Sequence, residues 1–160
     1  ADRMLYFIEM KVTIDSEDAM RSFGRQLGLA LAGGECIELI GDVGSGKTTL
    51  TKGIAAGLGI DDTVQSPTFI INRTYDAPSG IRLSHYDFYR LSDPGIMSDE
   101  LAESLTEPAT VIVIEWGEIV GSVLPEDHMK ITFDSPEETV RTLSIEVTGE
   151  KSSRLMKGLA

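Results

Sequence analysis

The stretch that decides the fold spans residues 41–48 and reads Gly41-Asp42-Val43-Gly44-Ser45-Gly46-Lys47-Thr48. It matches the pattern G-x-x-x-x-G-K-[ST] in full. Residues 35–40 before it predict a short buried strand, and apolar residues at helical spacing after it predict a helix that begins near Lys47. Glycines let successive backbone N–H groups point inward, and the helix N-terminus adds about half a positive charge. The sequence therefore predicts a strand, a phosphate-binding loop and a helix.

Individual positions of this loop have expected roles. Lys47 is expected to reach the β- and γ-phosphates of a nucleotide, and the Thr48 hydroxyl is expected to bind Mg²⁺. A glycine-rich turn with a purely structural role is the alternative. The residues predicted to contact the nucleotide are consecutive: Gly41, Asp42, Val43, Gly44, Ser45, Gly46, Lys47, Thr48 and Thr49.

Patterns on the N-terminal side of the loop predict two more elements. Residues 4–14 are rich in apolar and β-branched side chains and predict a strand. Residues 16–32 carry apolar residues at helical spacing, with Asp15 or Ser16 as a candidate N-cap. They predict an amphipathic helix whose apolar stripe faces the core.

Strand-like segments follow on the C-terminal side, at residues 69–75, 81–86, 110–114, 128–133 and 140–147. Turn residues join the first two and predict an antiparallel hairpin. The third is a dense β-branched run, typical of a central strand buried on both faces. The last two predict an antiparallel pair. Together these elements predict an α/β protein with the three-layer P-loop NTPase fold and a mixed central β-sheet, in one domain over residues 1–160.

Composition and charge exclude several classes of protein. The chain has 160 residues, 41% of them hydrophobic, which suits one globular unit. A single cysteine, Cys36, rules out an internal disulfide, and no apolar run is long enough to cross a bilayer. The lack of an internal disulfide fits a reducing compartment, so we expect a cytoplasmic location. The net charge of −12 opposes binding to a phosphate backbone, so we expect no autonomous binding of nucleic acid.

Two acidic residues follow predicted strands. Asp87 is the last residue of the segment Leu-Ser-His-Tyr-Asp, and Glu115 directly follows the apolar run of residues 111–114. Ligands of open α/β sheets collect at the carboxyl ends of the parallel strands. Asp87 and Glu115 are therefore candidate catalytic residues that hold Mg²⁺ or orient the attacking water. The alternative for each is an exposed carboxylate at the end of a strand.

Other residues near these acids have two interpretations. Thr68, in Ser66-Pro67-Thr68-Phe69, either belongs to a catalytic switch segment, where it adds a hydroxyl to Mg²⁺ or senses the γ-phosphate, or lies in a plain turn before a strand. His85 either orients Asp87 or is a structural histidine. Trp116 either covers the nucleotide or a partner, or packs in the core. Arg73 and Arg90 are candidate transition-state cations, although pairing with a nearby aspartate is the commoner fate of such arginines.

The motifs taken together resemble the TsaE (YjeE) family of small bacterial ATPases. The resemblance covers residues from about 16 to 133. It rests on the phosphate loop with Thr49, on residues 66–69, on the segment His85-Tyr86-Asp87-Phe88-Tyr89-Arg90-Leu91, and on Glu115-Trp116. It implies a role in making threonylcarbamoyladenosine in tRNA, in which ATP hydrolysis supports turnover by the TsaB–TsaD assembly. Contact with tRNA would then be indirect, through that complex.

The resemblance also implies roles for individual residues. Lys47 and Thr48 match the family's phosphate and Mg²⁺ residues, and Thr68 matches its switch-like threonine. Asp87 and Glu115 match its essential acids. Trp116 matches the tryptophan after the acid. The implied cofactors are ATP and Mg²⁺.

Rival functions share the phosphate loop. A GTPase is disfavoured because the chain's only asparagine, Asn72, is not part of an N-K-x-D motif. A P-loop small-molecule kinase would need a lid with a cation, and residues 92–110 contain no Arg or Lys. A nucleotide-gated assembly module, in which ATP controls docking and hydrolysis resets it, stays open.

Overall fold

The structure is a computed structural model that describes residues 8–42, 44–61, 64, 72–88, 95–116, 121 and 123–159. Among them it contains seven strands and four helices. In chain order these are β1 (Ile8–Ile14), α1 (Glu17–Ala30), β2 (Cys36–Ile40), α2 (Lys47–Gly57), β3 (Asn72–Asp76), β4 (Arg82–Asp87), α3 (Gly95–Ser104), β5 (Thr110–Glu115), β6 (Met129–Asp134), β7 (Arg141–Val147) and α4 (Glu150–Lys157).

The strands form one mixed sheet in the order β1-β7-β6-β2-β5-β4-β3. The four central strands, β6, β2, β5 and β4, are parallel. Antiparallel strands flank them on both sides, β7 and β1 at one edge and β3 at the other. The carboxyl ends of the parallel strands therefore meet at one edge of the sheet.

Helices cover both faces of the central strands. The larger core packs α1, α2 and α4 against one face, and α3 packs on the other face through the fully buried Leu101. All six residues of β5 are buried, as expected of a central strand between two layers. The prediction of a three-layer α/β fold with a mixed sheet is confirmed.

Helix α1 begins where the sequence indicated. Ser16 is its N-cap and accepts a hydrogen bond from the Ala19 N–H at 3.0 Å. Its buried face packs closely on α2, because Gly24 leaves the two backbones in contact: a Cβ there would lie 2.3 Å from the Leu50 carbonyl oxygen. This packing fixes the position of α2 and of the loop that precedes it.

Four elements differ from the sequence-based description. Helix α4 was not predicted, and predicted strand 4–14 begins in the structure at Ile8, since residues 1–7 lie outside the described ranges. Helix α3 was not predicted, because its apolar and polar residues do not separate clearly onto two faces, and Leu101 is the one buried residue among its described side chains. Predicted strand 69–75 begins in the structure at Asn72, since residues 65–71 lie outside the described ranges. The antiparallel pairing of β3 with β4 and of β6 with β7 is as predicted. None of the helices in the described ranges combines the length and apolar character that a bilayer crossing requires.

Candidate functional site

The glycine-rich loop connects the end of β2 to the start of α2. Gly44 and Gly46 have φ values of +83° and +107°, a conformation that favours glycine. The Ser45 N–H donates to the Asp42 carbonyl at 3.1 Å, which closes the turn. The loop thus adopts a tight turn directly before the helix.

Helix α2 begins at Lys47 with no side chain capping its N-terminus. Its first N–H groups have no partner within the helix, and the helix dipole makes this end positive. The Ser45 hydroxyl is buried and has no hydrogen-bond partner among the described residues. An uncapped N-terminus beside an unpaired hydroxyl suits an anionic ligand such as a phosphate.

Lys47 lies at the centre of the site with only 6% of its surface exposed. Its Nζ donates to the Gly41 carbonyl at 2.5 Å and lies 3.7 Å from Glu115 Oε1. The Trp116 ring covers it, with the centroid 4.4 Å from Nζ. A buried ammonium group needs such partners, because desolvation penalises its charge.

The two predicted acids end neighbouring parallel strands. Asp87 of β4 and Glu115 of β5 are register partners. The side-chain alternation that places Leu83 and Val113 in the larger core also places both acids on the face that carries α2. Glu115 is buried and Asp87 is half-buried. The structure thus brings both acids to the edge of the sheet where the loop lies.

His85 is fully buried and contacts Glu115, with 2.6 Å between Nε2 and Glu115 Oε2. The interpretation that His85 orients Asp87 is therefore wrong, because the carboxylate that His85 contacts is that of Glu115. The reason is the parallel pairing of β4 with β5, which places Glu115 two residues beyond Val113, the register partner of His85. Sequence spacing alone could not show this, because it carries no information about which strands pair.

Trp116 takes up the core role in part, and its covering of a nucleotide or a partner stays a prediction. Its ring packs against the smaller core on the α3 side and also covers Lys47. The backbone of Trp116 has φ +58°, which is rare for a bulky residue and is strained. Strain of this kind persists where the surroundings enforce it, and it often marks functional sites.

A cavity of about 450 Å³ opens beside the loop. Gly44, Ser45, Gly46 and Thr49 line one side of it. The opposite side comes from the start of α1, including Met20, and from Arg141 of β7. These last residues were not predicted as site residues, because nothing in their local sequence indicates that β7 and α1 approach the loop.

Three predicted residues lie outside the described ranges: Val43, Thr68 and Arg90. Arg73 is described, and it is the register partner of His85 on β3. Its Nε is buried and has no hydrogen-bond partner among the described residues. Thr48 is half-buried at the start of α2.

The described residues fit a nucleotide with Mg²⁺. Mg²⁺ is usually held by one or two carboxylates together with phosphate oxygens and waters, so it needs no large protein cluster. The Thr48 hydroxyl, Asp87 and Glu115 supply oxygen donors of this type at one edge of the sheet. The unpaired Ser45 hydroxyl and the uncapped helix N-terminus supply the phosphate side.

Comparisons with known proteins agree on one family. The family model described as threonylcarbamoyl adenosine biosynthesis protein TsaE matches residues 14–143. The tRNA threonylcarbamoyladenosine biosynthesis protein TsaE of Streptomyces coelicolor is 37% identical over 137 residues, covering 82% of this chain and 93% of that protein. The protein of the same name from Treponema pallidum is 38% identical over 122 residues, covering 76% and 88%.

A solved structure has the same fold. The crystal structure of YdiB from Bacillus subtilis matches with a TM-score of 0.78 at 25% sequence identity, over 96% of this chain and 95% of that one. The similarity therefore extends over nearly the whole length of both proteins.

Proposed function

This chain belongs to the TsaE family, and on that premise we propose that it binds and hydrolyses MgATP to support a TsaB–TsaD complex in the threonylcarbamoyladenosine modification of tRNA. The observation that carries the proposal is the position of Lys47. Its buried Nζ lies between a loop carbonyl and Glu115 at the N-terminus of α2. A cation held there is ready to bind the β- and γ-phosphates of a nucleotide.

The loop would bind the phosphates in two ways. Its backbone N–H groups and the N-terminus of α2 would contact the phosphate oxygens, and Lys47 would exchange its contact with Gly41 for them. The cavity between the loop and α1 would take the nucleoside, since its volume and partly apolar walls suit a small ligand.

The acids would act on the metal and on water. Thr48, Asp87 and Glu115 would hold Mg²⁺, which neutralises charge that develops on the phosphates. Glu115 is already oriented by two partners, His85 and Lys47. A preorganised carboxylate needs little rearrangement during the reaction.

We expect slow hydrolysis by the isolated chain. Residues 92–110 contain no Arg or Lys, and Arg73 is the candidate cation in the described part of the sheet. Cations or ordering supplied by another protein can accelerate phosphoryl transfer by about 10³–10⁵-fold. TsaB and TsaD are the proposed source.

One observation also favours nucleotide-gated docking as a second candidate function. Lys47 contacts both Glu115 and the Trp116 ring, so phosphate binding would disturb a residue with a strained backbone. Trp116 would then transmit the presence or absence of the phosphates at Lys47 to the residues of the smaller core, against which its ring packs. In this second candidate function ATP binding controls docking to a partner, and hydrolysis resets the assembly without driving the modification reaction.

An ATPase assay of the chain alone and with TsaB and TsaD tests the proposal. We expect low turnover alone and a clear increase with both partners. Rapid hydrolysis that the partners do not change would contradict the proposed pathway. Direct binding to tRNA should be weak at physiological salt, because the net charge of −12 opposes a polyanion. Tight binding by the isolated chain would show that RNA is reached without partners.

A further inference from the structure

We propose that His85 is the positioning residue for Glu115: it holds one carboxylate oxygen so that the other faces Lys47 and the phosphate loop. The inference rests on the proposed ATPase function and assigns a role that the sequence motif alone did not give. His85 Nε2 lies 2.6 Å from Glu115 Oε2, and Glu115 Oε1 lies 3.7 Å from Lys47 Nζ. The two oxygens of Glu115 therefore have different partners.

The direction of the hydrogen bond follows from the chemistry of the groups. An ionised carboxylate only accepts hydrogen bonds, so Nε2 carries a proton and donates it. With Oε2 fixed by His85, rotation of the carboxylate about its terminal bond would break this bond. Glu115 consequently presents a single oxygen, Oε1, towards the loop.

The supporting framework is rigid. His85 is fully buried on β4, and Glu115 is 3% exposed at the end of β5. The two strands are parallel neighbours in the central sheet, and β5 is buried along its whole length. A site built on packed strands holds its side chains more closely in place than one built on loops.

The Nδ1 of His85 is buried and has no hydrogen-bond partner among the described residues. The contact with Glu115 is therefore the one hydrogen bond that the described residues give this side chain. Its register partner Arg73 occupies the neighbouring strand on the same face.

Nitrogen-15 NMR of the nucleotide-free protein tests the contact without any activity measurement. The chain has two histidines, so a His128→Gln variant assigns the spectrum. We expect His85 to carry its proton on Nε2, with that resonance protected from exchange and shifted in Glu115→Ala. A proton on Nδ1 alone, or a His85 spectrum unchanged by Glu115→Ala, would overturn the proposal.

Steady-state ATPase kinetics of His85 variants test whether the positioning of Glu115 matters for turnover. His85→Leu removes the donor at similar volume, and we expect kcat to fall about 10- to 100-fold with little change in KM for ATP. His85→Gln keeps an N–H near the position of Nε2 and should restore a large part of the rate. Ser84→Ala, a buried change on the same strand, is the control that should leave turnover unchanged.

A double-mutant cycle separates positioning from general support of the fold. If His85 acts through Glu115, His85→Leu should have little further effect in a Glu115→Ala background. A full effect in that background, or a wild-type kcat in His85→Leu, would overturn the role. If His85→Leu does not fold, the His85→Gln variant provides the test. A kcat of His85→Gln as low as that of Glu115→Ala would contradict the positioning role.

The two proposals can fail separately. A wild-type chain that hydrolyses no ATP, with or without TsaB and TsaD, would contradict the proposed function. In that case the NMR result alone decides whether His85 positions Glu115.

Discussion

The ammonium group of Lys47 lies under the ring of Trp116, with 4.4 Å between Nζ and the ring centroid. The chain has one tryptophan, so tryptophan emission comes only from the residue that makes this contact. Phosphates that bind the loop would draw Nζ away from the ring. The contact therefore joins the proposed phosphate site to a spectroscopic signal.

Replacing Lys47 with alanine should abolish productive MgATP binding. The substitution removes the cation that we propose binds the β- and γ-phosphates, from a chain with a net charge of −12. Calorimetry and Trp116 emission should both show binding in the wild type and none in the variant. Lys52→Ala, an exposed lysine on the same helix, is the matched control. Equal affinity in Lys47→Ala and wild type would refute the loop assignment.

Asp87→Ala and Glu115→Ala should retain nucleotide and lose turnover. In the proposed function the two carboxylates act on metal and water, whereas the loop binds phosphates, so we expect kcat to fall about 10²–10³-fold. Glu115→Ala also removes a negative charge 3.7 Å from Lys47 Nζ, so Mg²⁺-free binding of ADP should not weaken. Glu103→Ala, an exposed acid on α3, is the control. Wild-type hydrolysis by either variant would remove that acid from the mechanism.

Gly24→Ala should destabilise the fold. A Cβ at this position would lie 2.3 Å from the Leu50 carbonyl oxygen, so α1 and α2 would have to separate. We expect a loss of about 1–3 kcal/mol in the free energy of unfolding, measured by urea denaturation. Helix propensity alone predicts the opposite sign, by about 0.5–1 kcal/mol. A stabilised Gly24→Ala would thus show that the helices are not in contact there. Ser22→Ala on the exposed face is the control.

Asp127 should contribute stability that depends on pH. It accepts backbone N–H hydrogen bonds from Lys151 at 2.8 Å and Ser152 at 3.0 Å, at the start of α4. Burial raises the pKa of Asp127, but a hydrogen bond with the Ser152 side chain, these backbone bonds and the Lys151 charge outweigh burial and lower the pKa from 3.8. A lowered folded-state pKa stabilises the fold above the unfolded value, and this contribution disappears as the pH falls through the folded value.

Asp127→Asn should therefore cost about 1 kcal/mol near neutral pH. The difference from wild type should shrink below the unfolded pKa of 3.8. Urea denaturation across this pH range measures it, with the exposed Asp134→Asn as control. A difference that stays constant with pH would show that the carboxylate charge is not involved.

Cys36 should be inert in the folded chain. Burial, followed by the charges of Glu38 and Asp127, raises the pKa of its thiol to about 12. The reactive thiolate is then nearly absent at neutral pH, and the side chain is 2% exposed. A thiol-reactive dye should label the chain in denaturant and leave the native chain unlabelled. Rapid labelling of the native state would mean that β2 opens locally.

Much of the fold could be predicted from the sequence, because its signals are local. The glycine pattern and the helical spacing after it predicted β2, the loop and α2, and the N-cap signal at Ser16 predicted the start of α1. Dense β-branching predicted the central position of β5. Each of these follows from backbone conformation and side-chain periodicity over a few residues.

Tertiary structure alone decided how the site is joined together. His85 and Glu115 are 30 residues apart, and their contact depends on β4 and β5 being parallel neighbours in a given register. The approach of Arg141 and Met20 to the loop likewise depends on the order of the sheet and on α1 packing against α2. The position of helix α3 depends on the packing of Leu101 in the smaller core. Such contacts join segments that are far apart in the chain, so no local pattern encodes them and only the packed sheet determines them.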